Sequence, residues 1–237
     1  HTVEDCAVVM DAIAGPDAKD STSMQQPAPK FESALTGSVK GLKIGVPQEY
    51  FGQGVTQQVR TAVQKAADDL ASLGAIVEPC SLPLAQYGLP TYYLLACAEA
   101  SSNLARYDGV RYGYRAEEAA SFEEMLIRTR TEGFGDEVKR RIMLGAFVLS
   151  AGYYDAYYKK ALAARELIKQ DFAKAFSSYD LLLTPTSPTV AWEIGQVTDP
   201  LSMYAADVCT VAVNIAGLPG LSVPCGKDEN GMPVGLQ

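Results

Sequence analysis

Apolar and polar residues alternate with two different periods in residues 42–79. The alternation in residues 42–46 (LKIGV) predicts a β-strand that ends at Pro47. Between residues 55 and 73 the apolar side chains follow the helical period, which predicts an amphipathic helix ending at Gly74. Residues 75–79 (AIVEP) indicate the next strand. Strand, helix and strand in this order predict two parallel strands joined by a crossover helix.

Helical patterns are more frequent than strand patterns in the rest of the chain. At the start, Thr2 and Asp5 have the spacing of a capping box, which predicts a helix that ends before Gly15. The other predicted helices comprise residues 90–106, 117–131 and 203–216, and the other predicted strands comprise residues 179–185, 221–224 and 234–237, the last two joined by a polar turn. This mixture of helices and strands predicts an α/β fold.

The longest helical pattern covers residues 133–160, which contain no proline. At 1.5 Å per residue such a helix would be roughly 40 Å long, and we expect a kink near Gly152. Four tyrosines near its end would line one side of the helix, and we interpret them as packing side chains rather than as a base-stacking platform. They are Tyr153, Tyr154, Tyr157 and Tyr158.

Arg140 and Arg141 stand just before the apolar run of this predicted helix. An arginine does not lose its proton in a protein, so one that points inward must contact an anion, either a protein carboxylate or a ligand. A purely structural interpretation also exists, because each arginine has a carboxylate four residues earlier, at Asp136 and Glu137. Neighbouring helix positions point about 100° apart, so at most one arginine should face a pocket, and periodicity does not say which.

Charge and hydropathy argue against direct binding of nucleic acid and against a membrane span. With 237 residues, 48% of them hydrophobic and 20% charged, the composition is that of an ordinary globular protein. The net charge of −8 argues against direct binding of nucleic acid, because phosphate binding requires a basic patch. If an RNA is involved, we expect another chain to bind it. No run of about 18 or more apolar residues exists, so we expect no membrane span.

The available side chains also limit the chemistry. His1 is the only histidine, which excludes a Ser-His-Asp triad, a Cys-His dyad and most zinc sites. The cysteines are widely spaced without a C-x-x-C motif, so we expect neither disulfides nor a metal site; they are Cys6, Cys80, Cys97, Cys209 and Cys225. Asp207, among apolar residues of a predicted helix, requires a partner or a solvated face. Composition and spacing alone therefore indicate an α/β domain with a candidate anion site.

Six longer segments resemble the amidase-signature family. They are HTVEDCAVVMDAIAGPD, GLKIGVPQEYF, EASSNLARYDGVRYGYR, GFGDEVKRRIMLGAFVLSAGYYDAYYKKA, DLLLTPTSPT and NIAGLPGLSVPCG. The resemblance runs nearly from end to end. Within the family, the segments around Tyr107 and Arg141 are similar to the A subunits of bacterial tRNA-dependent amidotransferases, which act on glutamyl-tRNA(Gln) or aspartyl-tRNA(Asn).

The resemblance implies a fold and a reaction. The implied fold is an α/β amidase-signature fold, with a mixed β-sheet core flanked by helices on both faces. We expect residues 1–237 to form part of a single domain of this fold that is cut at both ends. The implied reaction is hydrolysis of glutamine to glutamate and ammonia in the cytoplasm. The family's catalytic Ser-Ser-Lys residues have no counterpart in this sequence, so we expect them upstream of His1. We therefore assign no catalytic residue and expect this piece alone to be inactive.

The resemblance also implies partners. A partner B subunit receives the ammonia, binds the tRNA and uses ATP with Mg to activate the mischarged aminoacyl group, while a small C subunit wraps the interface of the other two. No cofactor is expected in this chain itself.

Three residues can be transferred from the family as binding residues for free glutamine. They are Tyr92, Arg141 and Asp207, which together we call the glutamine clamp. The choice of Tyr92 over Tyr93, and of Arg141 over Arg140, depends on the resemblance alone. Two alternatives remain at this point: a free-standing hydrolase of another small amide, and a non-catalytic docking module without a pocket between the three clamp residues.

Overall fold

The computed structural model describes residues 2–52, 54–197 and 199–237. The helices are α1 (Val3–Ile13), α2 (Gln57–Ser72), α3 (Gly88–Leu104), α4 (Phe122–Gly133), α5 (Asp136–Leu149), α6 (Lys159–Phe176), α7 (Pro200–Ala205) and α8 (Val211–Ala216). Three short 3-10 helices (Glu32–Ala34, Gln48–Phe51, Ala85–Tyr87) and one π-helix (Tyr154–Tyr158) accompany them. The strands are β1 (Lys43–Pro47), β2 (Ile76–Cys80), β3 (Leu181–Leu182), β4 (Val223–Lys227) and β5 (Pro233–Leu236). None of the helices in these described ranges is long and apolar enough to cross a membrane.

The chain divides into two compact units. Residues up to 83, together with 172–210 and 219–237, form the first unit, and residues 84–171 with 211–218 form the second. Of the residues that the structure describes, those in the five strands all belong to the first unit, whereas the second unit is built from helices.

The sheet of the first unit begins with the predicted parallel pair. Strand β1 pairs in parallel with β2, Lys43 opposite Ile76, and α2 connects the two strands, which confirms the predicted strand–helix–strand arrangement. Strand β3 pairs in parallel with the other edge of β1, where Ile44 lies opposite Leu181. Only two residues form β3, fewer than the predicted 179–185.

A second, antiparallel pair of strands forms a separate two-stranded sheet. Strands β4 and β5 are antiparallel, as a hairpin with the predicted polar turn. The backbones of Thr184 and Gln237 exchange two hydrogen bonds of 2.9 and 2.8 Å, and a bridge joins Pro185 to Leu236. These contacts connect β5 to the residues after β3, so that parallel and antiparallel pairing meet in one unit.

The hydrophobic core of the first unit lies between α2 and the strands of both sheets. Val59, Val63 and Ala67 of α2 are buried at successive helical turns, as the apolar period predicts. They pack against Ile44 of β1 and Val234 of β5 in the same cluster. A helix with one buried face on a sheet is the expected structural unit of an α/β protein.

The capping box at the start of α1 is confirmed. The Thr2 hydroxyl accepts a hydrogen bond of 3.1 Å from the Asp5 amide, and the Asp5 carboxylate accepts one of 3.0 Å from the Thr2 amide. Helix α4 begins at Phe122, later than the predicted residue 117. The reason is Ser121, whose hydroxyl accepts a hydrogen bond from the Glu124 amide and thereby caps the helix there.

The predicted continuous helix over residues 133–160 is wrong. Helix α5 ends at Leu149, and Gly152 adopts φ +84°, a left-handed conformation that glycine tolerates and a regular α-helix excludes. The predicted kink position is thus correct, but it is a full break. The π-helix follows after Tyr153. The rings of Tyr153 and Tyr157 are stacked with their centres 5.9 Å apart, and the ring centre of Phe147 lies 4.1 Å from that of Tyr153.

The predicted helix over residues 203–216 is also wrong. Helix α7 ends at Ala205, residues 206–210 form turns, and α8 starts at Val211. The Thr210 amide and hydroxyl both donate to the Asp207 carbonyl, at 3.0 and 3.1 Å. These local bonds replace helical i→i−4 bonds, so Asp207 lies in a turn instead of a helix.

Candidate substrate-binding site

A close contact between α3 and α5 forms the framework of the site in the second unit. A Cβ atom added to Gly145 would lie 2.0 Å from the Cys97 carbonyl oxygen, far inside van der Waals contact. Only glycine therefore permits this approach of the two helices. Arg141, Gly145 and Val148 share one face of α5, and the last two are buried. Because Gly145 packs against α3 one turn later, Arg141 on the same face of α5 also points towards α3.

Arg141 makes two kinds of contact at this interface. Its Nε donates a hydrogen bond of 2.8 Å to Oε1 of Glu137, one turn earlier on α5. Its guanidinium carbon lies 5.4 Å from the centre of the Tyr93 ring on α3, within cation–π range. The hydrogen bond to Glu137 is the main cause that raises the pKa of Arg141, so the guanidinium is charged at every physiological pH. The Arg141–Glu137 pair considered from the sequence is confirmed.

Arg140 occupies a more exposed position than its neighbour. Its side chain is 52% exposed, compared with 31% for Arg141, and its Nη1 contacts Oε2 of Glu137. One carboxylate therefore bridges both arginines. Asp136 contacts Lys139 at 3.5 Å. The more protected position of Arg141 supports it, rather than Arg140, as the arginine of a site.

The two adjacent tyrosines of α3 are distinguished by their surroundings. Tyr93 contacts the Arg141 guanidinium, and Tyr92 meets the Tyr93 ring edge to face, with ring centres 5.2 Å apart. Both are partly exposed. Sequence reasoning missed Tyr93 as a contact of Arg141 and interpreted Glu137 only as a structural partner. Helical spacing identifies the Glu137 pair, but no signal within either helix identifies a contact between α3 and α5.

Asp207 is exposed and lies in the turn between α7 and α8. Its amide donates to the Tyr204 carbonyl at 3.1 Å. The solvated face that the sequence required for this carboxylate is thus present. Because Asp207 belongs to the first unit, and Tyr92 and Arg141 to the second, the clamp of the three residues stays a prediction.

Two of the five cysteines are unsuited to nucleophilic chemistry because they are buried. All five are free thiols, and Cys97 and Cys209 are buried. Burial raises the pKa of Cys209 to about 11, and it also raises the pKa of Cys97, with the Glu137 charge adding to the effect and Arg141 opposing it. Both thiols are protonated at neutral pH. Among the described residues, no three His, Cys, Asp or Glu side chains are grouped so that they could bind a metal ion.

Comparison with known proteins places this framework in a family. A family model described as "Amidase" matches residues 1–237. Similar curated proteins are the A subunits of the glutamyl-tRNA(Gln) amidotransferases of Lachnospira eligens, 58% identical over 236 residues, and of Geobacillus sp., 60% identical over 238 residues. These matches cover 99% and 100% of the chain but only 49% of either relative, so the chain spans about half the length of the curated relatives it matches.

Solved structures agree with the sequence matches. The A subunit of the glutamyl-tRNA(Gln) amidotransferase from Thermotoga maritima superposes with a TM-score of 0.75 at 38% identity, over 99% of this chain and 46% of that one. A bacterial aryl acylamidase of the amidase-signature enzymes superposes with a TM-score of 0.70 at 24% identity, over 99% of this chain and 47% of the other. At this identity the similarity shows a shared fold and nothing more. The predicted amidase-signature fold and the predicted resemblance to A subunits are confirmed. The chain belongs to the amidase family.

Proposed function

We propose that this chain is the glutamine-binding part of an A subunit of a tRNA-dependent amidotransferase. The complete subunit would hydrolyse glutamine to glutamate and ammonia. The observation that carries the proposal is the Arg141 guanidinium, oriented by Glu137 and the Tyr93 ring on the α3–α5 interface. The names of the similar proteins from Lachnospira, Geobacillus and Thermotoga support the same function.

The clamp chemistry follows from the charges of free glutamine. At neutral pH glutamine has an α-carboxylate and an α-ammonium group. Arg141 can bind the carboxylate with two parallel hydrogen bonds, Asp207 can bind the ammonium, and the Tyr92 hydroxyl can orient the ligand. Such a clamp would position the side-chain amide for attack and would select against amides that lack the two charges. The assignment of Tyr92 and Asp207 depends on the family resemblance.

The reacting groups are proposed to lie outside this chain. In the family a serine nucleophile is activated by a second serine and a lysine, and a lysine base is consistent with a sequence whose only histidine is His1. Residues 2–237 would then contribute substrate binding rather than bond cleavage. The chain itself needs no cofactor for this role.

The ammonia is proposed to pass to a B subunit that binds the tRNA and uses ATP with Mg, with a C subunit completing a cytoplasmic complex. The net charge of −8 supports an arrangement in which a neighbouring chain contacts the tRNA. This chain would meet the RNA only through that neighbour.

A comparison of substrates tests the proposal. The full-length protein, in its complex, is assayed for ammonia release from glutamine and from propionamide, an uncharged amide. We expect kcat/KM to be at least about 100-fold higher for glutamine, because two charged contacts of roughly 1.5–3 kcal/mol each are lost with propionamide. Equal rates would indicate a free-standing hydrolase of small amides, and no release from either would indicate a docking module.

A further inference from the structure

The position of Glu137 beside Arg141 decides which edge of the guanidinium is fixed. A guanidinium group presents five N–H donors in one plane, and Glu137 accepts from Nε, the donor nearest the helix backbone. A bond in the plane at Nε restricts rotation about the last side-chain torsion, and the Tyr93 ring contacts the group from α3. The edge formed by the two terminal nitrogens can bind a carboxylate in bidentate fashion. The contacts with Glu137 and Tyr93 fix the direction in which this edge points.

A carboxylate next to an anion site raises an electrostatic problem that Arg140 removes. A single Glu–Arg pair has no net charge and would attract a second carboxylate only weakly. Here Oε1 of Glu137 contacts Arg141 and Oε2 contacts Arg140, so the three side chains together have a net charge of +1. The Cys97 thiol nearby is neutral, because its pKa is raised by burial. The adjacent arginines therefore have different tasks.

We propose that Glu137 is a positioning residue for the carboxylate of the substrate, an α-amino acid amide. It orients Arg141 through Nε, while Arg140 compensates its negative charge. Glu137 does not touch the substrate in this scheme. The inference depends on the proposed function, since it presupposes that Arg141 binds the α-carboxylate of glutamine.

Substrates with and without the α-carboxylate test the role of Glu137. The complete amidotransferase is assayed with glutamine and with 4-aminobutanamide, which is glutamine without its α-carboxylate. We expect Glu137→Ala to raise KM for glutamine about 10-fold with kcat changed less than about 2-fold, since one charge-assisted hydrogen bond is lost. The ratio of kcat/KM for glutamine to that for 4-aminobutanamide should fall by the same factor. A general folding defect would lower both values equally.

Two further variants complete the design. Asp136→Ala removes a carboxylate from the same turn that pairs with Lys139, and we expect it to leave the ratio unchanged. Glu137→Gln keeps the shape and an oxygen acceptor for Nε, and we expect about a 3-fold fall of the ratio, which keeps the test usable if Glu137→Ala fails to fold. An unchanged ratio in the folded Glu137 variants overturns the inference. A wild-type enzyme without preference for glutamine over 4-aminobutanamide would instead contradict the proposed function.

Discussion

The guanidinium carbon of Arg141 lies 5.4 Å from the centre of the Tyr93 ring, across the interface of α3 and α5. The contact links a helix with the substrate-binding tyrosine candidates to a helix with the arginine candidates. The contact distinguishes Arg141 from the more exposed Arg140 as the candidate binding residue. Helical periodicity alone does not distinguish the two arginines. A charged group with a defined orientation and partial solvent access is suited to binding an anionic ligand group.

Replacement of Arg141 by lysine tests the arginine of the glutamine clamp. Lysine keeps the positive charge but cannot form two parallel bonds to a carboxylate. We expect Arg141→Lys in the full-length protein to lower the rate at sub-saturating glutamine by about 10-fold or more. Arg140→Lys is the matched control and should change the rate less than about 2-fold, because lysine preserves its compensating charge. An unchanged rate for Arg141→Lys would remove Arg141 from the clamp.

The two tyrosines of α3 are expected to respond differently to the loss of a hydroxyl group. Tyr92→Phe removes the hydroxyl that is proposed to bind the ligand. It should raise KM for glutamine by about 5-fold, because one hydrogen bond of an uncharged side chain is lost. Tyr93→Phe retains the ring that contacts Arg141 and should change KM less than about 2-fold. Steady-state kinetics with glutamine measures both. The opposite ranking would assign the ligand hydroxyl to Tyr93.

Gly145 is expected to tolerate no side chain. In Gly145→Ala the new methyl group would lie 2.0 Å from the Cys97 carbonyl oxygen, so α3 and α5 must separate. We expect the free energy of unfolding to fall by about 2–3 kcal/mol or more. Gly135→Ala is the control, because Gly135 has φ −68° and no atom lies within 4 Å of an added Cβ. We expect it to change the free energy of unfolding by less than about 1 kcal/mol. Thermal denaturation of the full-length protein measures both, and equal melting temperatures would contradict the close contact.

The buried Cys209 thiol predicts a stability change at alkaline pH. Burial raises its pKa from the ordinary 9.0 to about 11 in the folded chain, whereas the unfolded chain titrates near 9.0. A raised folded pKa contributes stability that is complete below pH 9 and is lost between about pH 9 and 11. In the full-length protein, Cys209→Ala should therefore lose less stability over this interval than the unsubstituted form. Chemical denaturation at pH 8 and pH 10.5 measures the difference, and parallel losses would contradict it.

The 237-residue chain alone is expected to release no ammonia from glutamine. The reason is the proposed location of the Ser-Ser-Lys group outside it. A coupled ammonia assay of this chain beside the full-length protein measures the difference. Turnover by the chain alone, at a rate above a buffer control, would place a nucleophile among its own residues.

The first unit was largely predictable because its signals are local. The strand alternation before Pro47 and the helical period of α2 each lie within one element, and each element was found close to its expected bounds. The breaks were less predictable. Gly152 can occur in either a kink or a break, and only the surrounding structure gives it φ +84°.

The candidate site was predictable only in part for a related reason. The Glu137–Arg141 pair has a sequence spacing that indicates it. The contact of Tyr93 with Arg141 joins two helices and depends on Gly145, whose packing role has no signal in the sequence. Likewise, Asp207 stands in a turn because of local bonds from Thr210 that compete with helix formation.

The pairing of β1 with β3 has a consequence for synthesis on the ribosome. The Lys43 amide donates to the Asp180 carboxylate at 2.8 Å, and the two residues are 137 positions apart in the sequence. At 5–20 residues per second, about 7–27 s pass between the emergence of β1 and that of its second neighbour. During this interval β3 is not yet available, so the edge of β1 that it covers presents unpaired amide and carbonyl groups. Until residues 181–182 have been synthesised, this edge of β1 is open to edge-to-edge association with another chain.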